Sequence, residues 1–498
     1  MQSIFLNDPK LPKGPRFYLR ALAILALIGL QLGVFFLLYQ EEKSKQSQEV
    51  QATDPPRQVT ATAPPPPQAL SIKDPDMQDL LNDYFGPLPQ VLAKDKKAYK
   101  SLYPVKGIYL GSGKDLEAGL ELASTTEVNA FVIDVKESWG LTYKSQVPLA
   151  QEMGADSGTI DLPATFARCH EAGVKVIARL VCFKDEVMPQ ARPDLCIQDK
   201  DGKLLYYPLE GGLAFADPYN PEVWAYLLDI AREVVVMGAD EIQFDYVRFP
   251  TGSPESGADP SFARVEEKIP KQYAINRFLE TARIEIQEKL GVPISADLFS
   301  IVMSSEVDGQ LIGQNWSTIG LTGIDCICPM IYPSHYANAS LGSQGNGVGS
   351  YIGRDFFPAP DTEPYAVIEN AIIDGERASK QAGYTRLRPW LQAFTASWLP
   401  QGYFIEYGGG QIRQQIDAVY AAGYGEWLLW DADYSYPQDA FMSQAEAQVQ
   451  ESQQAQASQA QAQELASEQA SESAALAELG GEGQPVFPVA TAPLGQGH

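Results

Sequence analysis

The chain has 498 residues, 45% of them hydrophobic, enough for one large core or for more than one domain. Its 63 acidic residues outnumber 37 basic ones, a net charge of -26, and this excludes a phosphate-backbone partner, which needs clustered Lys and Arg. Only three histidines are present (His170, His335, His498), which removes histidine-rich metal chemistry, and the five cysteines fit no zinc spacing, so neither metal nor cofactor is expected.

Residues 1–20 carry Lys10, Lys13, Arg16 and Arg20 and read as a cytoplasmic N-terminus. Residues 21–39 are apolar except for Gln31, long enough to cross a bilayer as one helix. The positive flank before this run and the balanced charges after it place the rest of the chain outside the cytoplasm. A cleaved signal peptide is the rival reading, but no small-x-small site follows. Residues 40–77 are polar and proline-rich, an extended spacer. Residues 78–102 precede the globular block, and 441–498 form a Gln/Ala/Ser/Glu tail with no apolar stripe to bury, read as disordered.

The block between them, 103–440, alternates short apolar runs with amphipathic ones. Strands are expected at 105–111, 130–137, 174–183, 241–249, 293–300, 325–333, 388–394 and 426–432. Helices are expected at 114–126, 162–172, 221–237, 266–290, 308–319, 364–382 and 411–422. Glycines after three of them (Gly173, Gly291, Gly423) supply the left-handed residue that ends a helix before a strand. Eight strands with helices between them predict an α/β fold, a (β/α)8 TIM barrel. The segment after the first strand, Gly111-Ser-Gly113, lacks both dinucleotide-binding and P-loop spacing. Cys182, Cys326 and Cys328 lie in apolar runs and read as reduced core thiols, while a disulfide through Cys169 or Cys196 stays open.

In such a barrel the site forms where the strands reach their C-terminal ends. Acids and aromatics collect there. Glu241, Gln243 and Asp245 share the inward face of the fourth strand, with Asp245 nearest the mouth. Asp297 on the fifth strand is its expected neighbour. Two carboxylates are what glycosidic cleavage requires: one protonates the leaving oxygen, the other attacks or stabilises the anomeric centre. Asp245 and Asp297 are therefore the catalytic candidates. Asp134, Lys136, Arg248, Tyr332, His335, Trp390, Gln392, Trp430 and Asp431 are candidates for holding the sugar.

Seven ordered segments carry a resemblance: "FVIDVKESWG", "IARLVCFKD", "DEIQFDYVRFP", "SADLFS", "IGQNW", "PMIYPSHY" and "RPWLQAF". Together, over 103–436, they resemble a bacterial family of barrel proteins assigned to glycoside hydrolysis. Related sugar-hydrolase barrels, the alpha-amylase type among them, place a catalytic Asp at the end of the fourth strand, where Asp245 stands. They place a Glu on the fifth, where this chain has the shorter Asp297. The resemblance implies a glycoside hydrolase, and with the anchor read at 21–39 the expectation is a membrane-anchored enzyme that faces the cell envelope or matrix and hydrolyses a polysaccharide there. A glycan-binding scaffold on a degenerate barrel, or a lyase or transglycosylase, are the alternatives.

Overall fold

The computed structural model describes residues 74–111, 113, 115–338, 349–379 and 383–449. The expected anchor at 21–39, residues 40–73 of the spacer and the tail from 450 lie outside them. Among the described residues no helix is long and apolar enough to cross a membrane.

Eight parallel strands form the centre: β1 (Lys106–Gly111), β2 (Ala130–Glu137), β3 (Lys175–Val181), β4 (Glu241–Asp245), β5 (Ile294–Phe299), β6 (Cys326–Ile331), β7 (Trp390–Gln392) and β8 (Trp427–Trp430). Each pairs with the next, and β8 pairs back to β1, so the sheet closes. Helices run between the strands, and the expected (β/α)8 barrel is the fold observed. A strand covered on both faces reads as a continuous apolar run, which is why these segments stand out in the sequence. All six residues of β1 are buried.

Two sequence features illustrate how the helices are set. Helix Pro221–Val236 starts where the Asn220 side chain accepts a hydrogen bond from the Glu222 N–H, with proline in its first turn. It buries Val223, Trp224, Leu227, Ile230, Ala231 and Val234 against the sheet. Helix Leu162–Glu171 is capped by Asp161, and Gly173 at φ 75° turns the chain into β3.

The structure corrects several expected limits. The expected helix 266–290 becomes an α-helix, Lys271–Ala282, followed by a π-helical turn, Arg283–Glu288. The expected helix 308–319 is broken into Glu306–Ile312 and Trp316–Ile319, because Gly313 adopts φ 79° between them. The seventh strand is interrupted: Arg386–Leu387 and Trp390–Gln392 flank Pro389, which has no N–H for the ladder. β4 ends at Asp245, four residues before the expected limit of 249, because Tyr246 turns to φ 49°. All five cysteines are buried and free, so no disulfide passes through Cys169 or Cys196.

Two cores result. Between sheet and helices lies an aliphatic shell that includes Ile133, Leu180, Ile242, Phe244, Ala296 and Leu298. Inside the barrel the filling is far more polar than the branched aliphatic layers usual for the fold. At the N-terminal end, Glu241 and Arg388 form an ion pair with both side chains fully buried, and Ser295 Oγ donates to Glu241 at 2.5 Å. Gln243 and Cys328 fill the middle, 3.5 Å apart.

Candidate active site

At the C-terminal end the barrel opens into a cavity of about 750 Å³. Asp245 and Asp297 both line it, side by side on β4 and β5. Arg248, Tyr332, His335, Trp390, Trp430 and Asp431 line it too.

Asp245 does not pair with Arg248. Its Oδ2 accepts from Arg179 Nε at 3.0 Å and Nη2 at 2.6 Å, and its Oδ1 accepts from the Tyr246 N–H at 2.6 Å. Tyr246 itself is held at φ 49°, and a non-glycine residue in the left-handed region is a common mark of a functional site. Arg179, on the inward face of β3, uses its other amino group on Asp134 (2.6 Å) and Glu137 (2.7 Å). One guanidinium thus serves three carboxylates. Tyr109 Oη donates to the second oxygen of Asp134 at 2.5 Å. Burial pushes the Asp134 carboxyl up to about 7, with Arg179 opposing and Glu137 adding to the rise. Burial also acts upward on Glu137, but Arg179 and Asp134 outweigh it and hold Glu137 below its ordinary value. Of the two acids, Asp134 is therefore the one that binds a proton more readily.

Asp297 is 1% exposed. Burial drives its carboxyl well above the ordinary range, and the charge of Asp245 adds to that shift. The Trp390 indole N–H, which donates to Asp297 Oδ1 at 2.8 Å, only partly opposes it. These surroundings favour the protonated form of Asp297. Gln314 fastens the ends of the two strands, donating to the Asp297 and Val247 carbonyls and accepting from the Phe299 N–H.

The other candidates sort by geometry. Arg248 is bound to Glu210, at 2.8 Å on one oxygen, and lies over the rings of Phe299 (4.7 Å) and Tyr246 (4.9 Å). Burial pushes the Glu210 carboxyl up, but Arg248 and Thr251 outweigh it and hold it below its ordinary value. His335 packs edge-on to Tyr332, and burial lowers its pKa, which keeps it neutral at pH 7. Asp431 accepts from the Ser435 N–H at 2.9 Å and closes the loop after β8 while facing the cavity.

Three candidates do not line the cavity: Lys136, Gln392 and Asp134, the last lying behind Arg179. Lys136 is fully buried on Asp185 at 2.9 Å. A one-residue bulge in β2 aligns Asp134 with Arg179 but Lys136 with Leu180, so Lys136 leaves the inward face. It does not share a face with Asp134, contrary to simple alternation. Gln392 is also fully buried. It donates to Asp361 and to the Phe394 carbonyl and accepts from the Ser334 N–H, which leaves it bracing loops. Among the described residues no group of three His, Cys, Asp or Glu is placed to hold a metal ion.

Sequence reasoning missed Arg179, Tyr109, Glu137, Phe394 and Trp398. Arg179 had a usable signal: a lone arginine inside an apolar strand requires acids opposite it.

A family profile described as "Putative glycosyl hydrolase domain" matches residues 102–436. Among solved structures, a hypothetical protein from Ruminiclostridium thermocellum ATCC 27405 is 35% identical over 38% of this chain and 96% of that one, with a TM-score of 0.34. The PgaB (BpsB) glycoside hydrolase domain of Bordetella bronchiseptica is 13% identical over 66% of this chain and 94% of its own, at a TM-score of 0.48. An alpha-galactosidase of Thermus thermophilus is 12% identical over 72% of this chain and 63% of its own, at 0.40. No curated protein matches the chain. The family match covers the whole barrel and both acids of its mouth, and the chain belongs to the family described as "Putative glycosyl hydrolase domain".

Proposed function

We propose that the protein is a glycoside hydrolase whose acid is Asp297 and whose anionic partner is Asp245. One observation carries this reading: two neighbouring carboxyls in one cavity have opposite surroundings. Asp245 is gripped by a guanidinium and a backbone N–H. Asp297 is buried, meets an indole N–H, and keeps its proton. Environments that drive two acids apart assign their roles.

In the reaction Asp297 gives its proton to the glycosidic oxygen as the bond from that oxygen to the anomeric carbon breaks. Positive charge develops at the anomeric centre, and Asp245 stabilises it. Water then adds its hydroxyl to the anomeric carbon and returns its proton to the site, so one water is consumed for each bond cut. Both Asp245 oxygens already accept hydrogen bonds, which favours electrostatic stabilisation over covalent attack. Arg179 keeps that carboxylate oriented.

The apolar run at 21–39 supports an anchored enzyme facing away from the cytoplasm, with cell-envelope or matrix polysaccharide as substrate. The test uses the full chain in membranes, supplied with purified envelope and matrix glycans, with new reducing ends as the readout. Reducing ends that depend on both Asp245 and Asp297 are expected. Full activity in a folded Asp245→Asn, Asp297→Asn chain would refute the assignment.

A further inference from the structure

The acid is tied to an aromatic series that runs out of the cavity. Trp390 holds Asp297 through its indole N–H. Tyr109 joins Trp390 (6.4 Å) to Trp430 (6.1 Å), Tyr332 and Trp430 stand with ring centroids 6.3 Å apart, and Phe394 meets them edge-on at 5.8 Å and 5.3 Å. Trp398 then stacks on Phe394 at 5.6 Å, with the planes only 25° apart. It lines the cavity and is 49% exposed. Leaving half an indole in water is unfavourable by itself. Here the ring is held nearly parallel to a second ring, so its orientation is preset and little freedom remains to be lost when a flat apolar face covers it.

The charge pattern narrows what that face belongs to. The two arginines among the described lining residues are both engaged, Arg179 by Asp134, Glu137 and Asp245, and Arg248 by Glu210. Asp431 and Asp433 follow Trp430 in the chain and line the same cavity. A uronate or sulfated sugar would meet these acids with no uncommitted guanidinium to receive it.

We infer that Trp398 and Phe394 form a subsite for the leaving-group sugars of an uncharged glycan chain. This rests on the glycosidase reading, because the leaving group is defined by the proton on Asp297. The side is fixed by continuity: the aromatic series ends at the residue bonded to the acid.

The test is calorimetric titration of the full-length Asp297→Asn chain, which keeps ligand intact. The probes are hexasaccharides of glucose, xylose, mannose and N-acetylglucosamine, with hexagalacturonate as the anionic probe. At least one uncharged hexasaccharide is expected to bind, about tenfold or more tighter than hexagalacturonate, with Trp398→Ala weakening it about tenfold. Trp398→Phe is expected to recover part of that loss, which a folding defect would not allow. Binding unchanged within about twofold by Trp398→Ala, hexagalacturonate as the tightest ligand, or no uncharged hexasaccharide bound would each overturn the subsite. Hydrolysis by the unsubstituted chain is read separately. Binding through Trp398 without any cleavage removes the catalytic reading and keeps the sugar site. Cleavage indifferent to Trp398→Ala keeps the catalytic reading and removes the subsite.

Discussion

One strand face carries a carboxylate–arginine pair at each end of the barrel, and the two are built to opposite purposes. At the closed end Glu241 meets Arg388, both fully buried, with a serine completing the acid's hydrogen bonds. At the open end Asp245 meets Arg179, but that arginine also serves Asp134 and Glu137, and Asp297, its carboxyl raised well above the ordinary range, stands beside them. The closed end is balanced charge for charge and sealed. At the open end burial, and acids in excess of the one cation they share, raise the carboxyls of Asp134 and Asp297. An excess of acid over base beside a cavity separates the pair proposed to act on substrate from the structural one.

The largest effect should come from the open end. Asp297→Asn or Asp245→Asn should lower kcat on the order of 10²–10⁴-fold while unfolding midpoints stay close to the parent, measured by reducing-end release and denaturant titration. The closed end should do the reverse. Arg388→Met strands a buried carboxylate and should destabilise by about 3–5 kcal/mol, with kcat per folded molecule unchanged. A catalytic loss at constant stability in that variant would erase the distinction between the two ends.

Arg179→Lys tests the link within the open end. An ammonium cannot form the two bonds now made to one oxygen of Asp245 while also reaching Asp134 and Glu137. A fall in kcat of about 10–100-fold is expected, larger than any change in KM, because a misplaced carboxylate affects the transition state first.

The smallest effect is in pH dependence. The carboxyl of Asp134 is raised from 3.8 to about 7 in the fold. Its stabilising contribution is therefore complete below pH 3.8 and is lost as pH rises towards about 7, since the native state holds a proton that the unfolded chain releases. Asp134→Asn should flatten the decline in unfolding free energy between pH 6 and pH 7.5 by roughly 1–2 kcal/mol. An unchanged slope would show that the proton resides elsewhere.

Much of the open end was legible before the fold was known. Asp245 and Asp297 stand at the ends of apolar runs, and burial on both faces makes such runs easy to locate. Trp390, Trp430 and Tyr332 followed from the same strand ends. The rest depended on distance and parity. Glu210 lies 38 residues before Arg248 in a 3-10 turn, and no local pattern joins them. Trp398 gains its place only by stacking on Phe394. Lys136 was misplaced because alternation carries through a strand only while the ladder is unbroken. Gln392 looked available because a sequence does not reveal that Asp361, Ser334 and Phe394 already use its amide.

The bulge in β2 sets the sign of charge in the mouth. With an unbroken ladder, Lys136 would point inward one step beyond Asp134 and reach the carboxylates that now depend on Arg179. A second cation there would lower the raised Asp134 carboxyl and shift the site towards neutrality. The extra residue, Val135, points into the aliphatic shell and sends the ammonium to Asp185 instead. One inserted valine thus works as a parity switch: counting residues along a single strand determines whether this barrel opens onto an acidic cavity or a neutral one.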